Sequence, residues 1–493
     1  MDHLSRWITL ARKRTSEIRA LRKKTKNKSL DDGGLSEALV GVEGILQDIP
    51  HILVGQAALT CKAYARSLLN FESHIVAQRA QKGADTDKDL QVYYENLHEC
   101  YAHLDEPDGM EGISTRIISP SVLHQIREHE STGRWTSAQS CWEVKLQQKP
   151  DDPVNHVGLL RCLRNLGHYD SMRTHIVGLL HSRGDEVDWE RLLAPFNVEA
   201  SLFVGDWDSV EDALDVPDLE GPEASFGRVL CAIRNGDRDQ VERAFFDARE
   251  QLGGPVVAAG RESYRRVYDS IVHLHILDEL KSIHQLGLGG GQHLDALVKS
   301  FRDRLATTSP SFRAREPILN TRRIGFRLTS PAEHAVKAEV GELWLETSKI
   351  ARKAGHFQTA YSAILQARDC HAEWAFLQSA KLLKSNGQAY KAVQELDHRL
   401  VPILAHFKEG TTDDPLVSLD KPSPLAKASL RRARWMLEAG RVEQNEAVKL
   451  FLESSALAPN WESPSYELGH FYDSVADSLE KKTPKTRPNK YTK

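Results

Sequence analysis

The sequence predicts an all-α fold, an α-solenoid of tetratricopeptide- or HEAT-like helical hairpins. The first observation is a recurring corner, a glycine followed two places later by an aromatic. It reads Gly133-Arg-Trp135, Gly167-His-Tyr169, Gly205-Asp-Trp207 and Gly355-His-Phe357, with aromatic-free copies at Gly236-Asp-Arg238 and Gly387-Gln-Ala389. The second is the spacing: 34, 38 and 31 residues through Gly236, then 32 from Gly355 to Gly387. Periods of roughly 30–40 residues mark stacked helix–turn–helix units. The third is apolar periodicity. Val340, Leu343, Trp344, Thr347, Ile350, Ala351 and Ala354 share one helical face, and Phe357, Ala360, Tyr361, Ile364 and Leu365 form the predicted returning face after Gly355-His356.

The corner has a physical reason in each of its parts. Glycine adopts positive φ just past a helix C-terminus without a Cβ clash. The aromatic two residues on is expected to fill the wedge between the helices. Alanine five residues after the glycine (Ala138, Ala360, Ala392) lets the partner helix approach closely.

In chain order, residues 4–22 form an amphipathic helix through Leu4, Trp7, Ile8, Leu10, Ala11, Ile18 and Leu21. It ends in the basic run Arg22-Lys-Lys-Thr-Lys-Asn-Lys28, which reads as a solvated helix end or, alternatively, a nuclear-localisation patch. Helical spacing resumes over 35–80, pauses at the polar break 82–88, and continues through Val92, Tyr93, Leu97, Tyr101 and Leu104. Glu106-Pro-Asp-Gly-Met-Glu-Gly-Ile-Ser114 is predicted to be a loop, because its proline and glycines oppose helix. Hairpins follow from Pro120. Gly253-Gly254-Pro255 is expected to interrupt them, 287–292 (Gly-Leu-Gly-Gly-Gly-Gln) to be a connector, and 309–331, with three prolines and five arginines, to link two helical blocks. An irregular segment at 408–424 precedes two more helices and a basic, disordered tail from Lys481. The division expected is residues 1–50 as N-terminal helix and linker, 51–250 and 251–480 as helical repeats, and 481–493 as tail.

Composition narrows the function. Hydrophobic residues make up 40% and charged residues 27%, with a net charge of −4, so there is no general bias toward polyanions. The six cysteines (Cys61, Cys100, Cys141, Cys162, Cys231, Cys370) form no C-x-x-C pair and fit a reducing compartment better than a zinc or disulfide framework. No run reaches the roughly 18 apolar residues of a membrane span. The 21 histidines are dispersed. His273 and His275 lie two apart on a predicted helix and His98 and His103 five apart, spacings that suit no shared metal. Asp151-Asp152 and Asp413-Asp414 sit in predicted turns, where Asp bonds locally. Kinase, hydrolase, zinc-protease and nucleotide-loop motifs are absent from the sequence, so catalytic, cofactor-binding and metal-binding residues are all expected to be none. A peptide-binding groove would need clustered Lys, Arg and Asn, and Asn155, Arg161, Arg164 and Asn165 give only a sparse version.

Several segments resemble a specific family. Cys61-Lys-Ala-Tyr-Ala-Arg-Ser-Leu-Leu-Asn-Phe-Glu-Ser73 and the stretch from Tyr101 through Glu106-Pro-Asp-Gly109 to Gly112-Ile-Ser114 resemble the FAT region of phosphatidylinositol-3-kinase-related protein kinases. Gln125-Ile-Arg-Glu-His-Glu130, Arg313-Ala-Arg-Glu-Pro-Ile-Leu319, Ile350 through Tyr361, and the Trp461…Leu468-Gly-His-Phe-Tyr-Asp473 ending match in the same order. They span about 51–475 and resemble the ATR branch, the DNA-damage checkpoint kinases, in a fungal form. The resemblance implies a non-catalytic scaffold wrapped around kinase lobes, nuclear localisation, and protein partners: the kinase lobe, an ATR-interacting partner and a homodimer mate. From the sequence itself, which has no basic patch with interleaved aromatics and no long apolar run, no direct nucleic-acid or membrane contact is expected. The resemblance also implies a fragment whose ATP and Mg sites lie in a kinase domain that this sequence lacks. The other reading is a free-standing tetratricopeptide-type adaptor.

Overall fold

The computed structural model describes residues 2–25, 34–82, 90–104, 106–182, 188–258, 264–289, 294–329, 334–408 and 423–482. These described residues form α-helices and turns, with no strand among them. Two compact units are present, residues 1–162 and 163–493.

The chain opens with α1 (Asp2–Thr25), α2 (Leu35–Gln47), α3 (His51–Thr60), α4 (Tyr64–Lys82), α5 (Gln91–Leu104), α6 (Pro107–Ser114), α7 (Val122–Ser131), α8 (Trp135–Gln148) and α9 (Pro153–Leu166). In the first unit α1 lays Ile8 and Ala11 inward, while Phe71, Ile75, Tyr94 and Leu97 join α4 to α5 in a small apolar core. Next come α10 (Tyr169–Ser182), α11 (Trp189–Val204), α12 (Trp207–Leu214), α13 (Pro222–Asn235), α14 (Arg238–Ala258), α15 (Tyr264–Gly287) and α16 (Leu294–Thr307). The chain continues with α17 (Phe312–Thr329), α18 (His334–Lys353), α19 (Phe357–Asp369), α20 (Ala375–Ser385) and α21 (Ala389–Lys408). The last helices are α22 (Pro424–Glu438), α23 (Gln444–Ala456) and α24 (Glu462–Lys482). Most sequence neighbours pack on each other, as α13 on α14, α18 on α19, α20 on α21 and α22 on α23. This is the nearest-neighbour packing of a helical solenoid.

The corners form as the sequence predicts. All six glycines of the recurring motif take positive φ, between 72° and 91°. At five of them the following N–H reaches back to the carbonyl five residues earlier, as in Arg134 to His129 (2.8 Å) and His356 to Ala351 (2.9 Å). That bond closes a Schellman motif and satisfies a carbonyl the helix end would leave unpaired. Gly440, Lys62 and His371 take the same left-handed conformation and make further corners. Lys62 and His371 carry a Cβ there, so a search for glycine misses them. Ala138, Ala360 and Ala392 are fully buried, consistent with close helix approach. Gly205, at φ 91°, has open space where a Cβ would go, so the cost of a side chain there is pure backbone strain. Gly205→Ala is expected to lose about 1–2 kcal/mol, read as a lowered urea midpoint with an unchanged slope.

Four expectations are corrected. Glu106–Ser114 is no loop. Pro107 occupies the first position of α6, where a missing N–H costs nothing, and Met110 anchors the helix in the core. Gly109 serves close approach, since a Cβ would lie 2.4 Å from the Tyr101 ring. Gly253-Gly254-Pro255 does not interrupt α14; Val241, Phe245, Ala248 and Leu252 bury one continuous stripe, and the proline falls in the last turn. The supposed linker over 309–331 contains α17, whose character is described below. Finally, Phe357 does not fill a wedge. Phe357, Tyr361 and Leu365 lie on the exposed side of α19, while Ala360, Ala363, Ile364 and Ala367 face inward because small side chains permit the tight pairing with α18. His356 is buried instead, edge-on to Phe312 at 4.7 Å.

The polar break lies largely outside the described residues, as do Lys26–Lys28 of the basic run, much of the 287–292 connector, most of 408–424 and the tail beyond Lys482.

Candidate functional site

Among the described residues, α17 carries more of the second unit's buried polar side chains than any other helix. Its sequence reads as a linker because charge and proline dominate, yet Phe312, Glu316, Leu319, Arg323 and Phe326 fall at steps of three and four and are all buried. Ile318, Arg322 and Gly325 are buried beside them. The helix is therefore enclosed on more than one face, packed between α15 and α18 and touching α11 and α13. Pro317 sits within its first two turns, so only one early backbone bond is lost.

A charge enclosed in this way must be paired. Arg322 meets Glu279 of α15 through two parallel bonds of 2.7 Å, and its guanidinium also donates to the Phe301 carbonyl at 3.0 Å. Both side chains are nearly inaccessible, at 3% and 4%. Arg323 donates to the Thr347 hydroxyl at 2.6 Å and to Asn320, and lies 3.7 Å over the Trp344 ring. Glu316 sits 3.8 Å from Arg323 and accepts from Asn320 and from the Tyr169 hydroxyl, the latter at 2.7 Å. Burial lowers Arg323 to about 10 and raises Glu316 above the usual carboxylate range. Burial also raises Tyr169, with the Glu316 charge adding to it.

This network reaches across the unit. Tyr169 opens α10, 147 residues before Glu316. The same corner presents the Leu166 carbonyl to the Thr359 hydroxyl of α19 at 2.5 Å, a separation of 193 residues. At Gly167 a Cβ would lie 3.1 Å from Thr359 and 3.2 Å from Phe312. Nearby, Arg164 pairs with Glu199 at 2.8 Å and Glu223 at 2.5 Å. Glu199 is raised to about 7 by burial, against the pull of Arg164 and with Glu223 and Glu316 adding to the rise. The arrangement joins α9, α10, α11, α13, α17 and α18 by specific, directional bonds.

Its donors and acceptors are turned on one another: the Tyr169 hydroxyl donates to Glu316, and the guanidinium groups of Arg322 and Arg323 bond Glu279, Thr347 and Asn320. Among the described residues, no group of three or more His, Cys, Asp or Glu could hold a metal, and no helix is long and apolar enough to cross a membrane.

The sequence-level candidates disperse. His273 is edge-on to Phe226 at 5.8 Å, and His275 is exposed. His98 is buried against His124 and depressed to about 4 by burial and by the charges of His124 and Arg127, while His103 stacks on Tyr64 at 4.2 Å. Asp152 caps the backbone of Val154, and Asp413-Asp414 lie outside the described residues. Cys100, Cys162 and Cys231 are buried, and burial pushes the Cys162 thiol to about 12. The sparse Asn and Arg groove is not available either. Asn155 donates to the Lys149 carbonyl at 3.3 Å, Arg161 pairs with Glu130 at 3.4 Å, and Arg164 is held as above.

The sequence model of the FAT domain matches residues 194–493, which contain α17 and most of its partners. The chain belongs to the FAT-domain family. Ahead of the FAT domain, residues 1–129 match the M-HEAT region of the serine/threonine-protein kinase ATR. The FAT-domain chain is 30% identical to the ATR kinase of Oryza sativa subsp. indica over 492 residues, 91% of its own length and 18% of the relative's. It is 29% identical to the ATR kinase of Arabidopsis thaliana, covering 87% of itself and 17% of the relative. To protein kinase rad3 of Schizosaccharomyces pombe it is 26% identical, covering 95% and 19%. This FAT-domain chain thus spans under a fifth of the length of these relatives. M-HEAT then FAT, with ATR kinases as relatives, places it in the ATR branch.

Proposed function

We propose that the chain is the non-catalytic helical scaffold of an ATR-like serine/threonine protein kinase, acting in the nucleus in DNA-damage checkpoint signalling and DNA repair. The observation that carries this reading is the collinear match to M-HEAT and FAT regions. The architecture supports it: a solenoid whose interior charges are spent on cross-braces holds its shape and offers its outer faces to other proteins. Phosphoryl transfer needs a phosphate cradle and metal-holding carboxylates, and in this reading ATP and Mg belong to a kinase lobe outside this sequence. The partners proposed are that lobe, an ATR-interacting protein and a second copy of the chain.

The test is affinity capture of the 493-residue chain from nuclear extract of cells treated with a DNA-damaging agent. Recovery of an ATR-type kinase or its obligate partner, identified by mass spectrometry, is the expected result. Reproducible recovery of chaperones and short acidic-tailed peptides in their place would point to an adaptor and overturn the scaffold reading.

A further inference from the structure

The run from Gly205 to Ser225 holds eight carboxylates and no lysine, arginine or histidine. Helix α12 lies within it, and Glu211, Leu214 and Asp215 share one of its sides. On α14, Gln240, Arg243, Ala244, Asp247 and Ala248 repeat at steps of three and one, which is again a single face. Both helices pack on α13, and the three together line an open groove of about 1000 Å³. Its floor is small and apolar, built from Leu214, Cys231, Ala232, Ala244 and Ala248. Glu211 and Asp215 stand on the α12 side, Asp247 and Glu250 on the α14 side.

The acids of this groove are not matched from within. Glu211 meets Arg234 at 3.3 Å, but Asp215, Asp247 and Glu250 are exposed and make no ion pair among the described residues. The two arginines that line the groove are turned to carbonyls: Arg228 donates to Leu219 at 2.8 Å, and Arg243 to Asp239 at 3.1 Å. An apolar floor between carboxylates is complemented by a segment that carries apolar side chains together with lysine or arginine. All three walls are helices, whose backbone groups are already bonded, so an extended segment would find no edge to pair with. A helix satisfies its own backbone and lays one face into such a groove. We propose that the groove between α12, α13 and α14 docks a basic amphipathic helix of a partner protein, with its apolar face on α13 and its cations at Asp215, Asp247 and Glu250. The surface does not depend on whether the chain serves a kinase.

The experiment is fluorescence anisotropy of the full chain with a labelled synthetic peptide of about 20 residues, long enough to form a helix. The peptide carries leucine along one helical face and lysine on the others, and its partner probe is a scrambled peptide of the same composition. The double variant Asp215→Lys with Asp247→Lys reverses charge on both sides of the groove. Asp303→Lys with Glu446→Lys makes the same charge change at exposed positions on α16 and α23. The groove variant is expected to weaken binding of the amphipathic peptide by about tenfold or more, and the control variant by less than about twofold. The scrambled peptide is expected to bind the parent more weakly than the amphipathic one. Equal losses in the two variants, equal binding of the two peptides, or no saturable binding overturns the surface.

A second measurement needs no variant. Carbodiimide labelling of carboxylates, read by mass spectrometry, is expected to slow at Asp215 and Asp247 when the amphipathic peptide is saturating and to stay unchanged at Asp303. Equal protection at all three, or none, overturns the surface. Sedimentation of the chain without peptide tests the other occupant. Parent and groove variant are expected to have the same mass, whereas a parent dimer that the groove variant dissociates means that a second copy fills the groove and overturns the partner helix.

Discussion

Replacing Arg322 by methionine is expected to cost about 3–5 kcal/mol, because it leaves the Glu279 carboxylate buried against a partner that no longer exists. The pair is bidentate at 2.7 Å and nearly sealed from water, so solvent cannot take over. The Phe301 carbonyl loses the Arg322 donor in the same step. The double variant Arg322→Met with Glu279→Leu removes both charges at similar volume and is expected to recover most of the loss, since an apolar replacement of a buried pair is often neutral or better. Urea unfolding measures the size of the effect, and hydrogen exchange locates it on α15 and α17. A single variant that loses under about 1 kcal/mol would mean the pair is hydrated and behaves as a surface ion pair.

Stability of the second unit is expected to fall as pH rises from about 4.5 to about 7 through Glu199 alone. Burial holds this carboxyl protonated in the folded chain over a range in which the unfolded chain has released the proton. The folded state therefore binds the extra proton, and each pH unit across the window removes about 1.4 kcal/mol. Stability is fully present below the unfolded pKa and lost above the folded one, a total of roughly 3 kcal/mol. Arg164 opposes the effect by favouring the ionised form, whereas Glu223 and Glu316 reinforce it. Other groups titrate in the same range, so the measurement is a difference. The unfolding free energy of the parent minus that of Glu199→Gln should decline by about this amount between pH 4.5 and 8. A difference that stays flat, or rises, would show that the Arg164 pairing dominates and that Glu199 is ionised throughout.

The corners were legible in the sequence because a left-handed residue after a helix leaves a local mark. Gly133, Gly167, Gly205, Gly236, Gly355 and Gly387 announce themselves. Lys62 and His371 do not, since they take the same left-handed conformation with a full side chain and no glycine signals it. The buried network was illegible for the opposite reason. Arg322, Arg323 and Glu316 have the composition of a solvated linker, and only their partners 24 to 147 residues away make them interior. Their helical spacing with Phe312, Leu319 and Phe326 was the available signal, and the proline masked it. α6 and the end of α14 were lost the same way: proline and glycine argued against helix locally, while Met110 and Leu252 secured it through tertiary burial. The family resemblance rested partly on Arg313–Leu319, the run that opens this buried helix.

The bond between Tyr169 and Glu316 also bears on how the chain is made. A solenoid of nearest-neighbour hairpins can fold behind the ribosome as each unit emerges, but Tyr169 must wait for a residue 147 positions later. At about 5–20 residues per second that wait is roughly 7–30 s. During it the α10 corner holds an unmatched phenol, and Gly167 has neither Phe312 nor Thr359 against it. When α17 arrives it closes a loop over several finished hairpins at once, so the second unit gains its cross-braced cooperativity late, in a single long-range event rather than unit by unit.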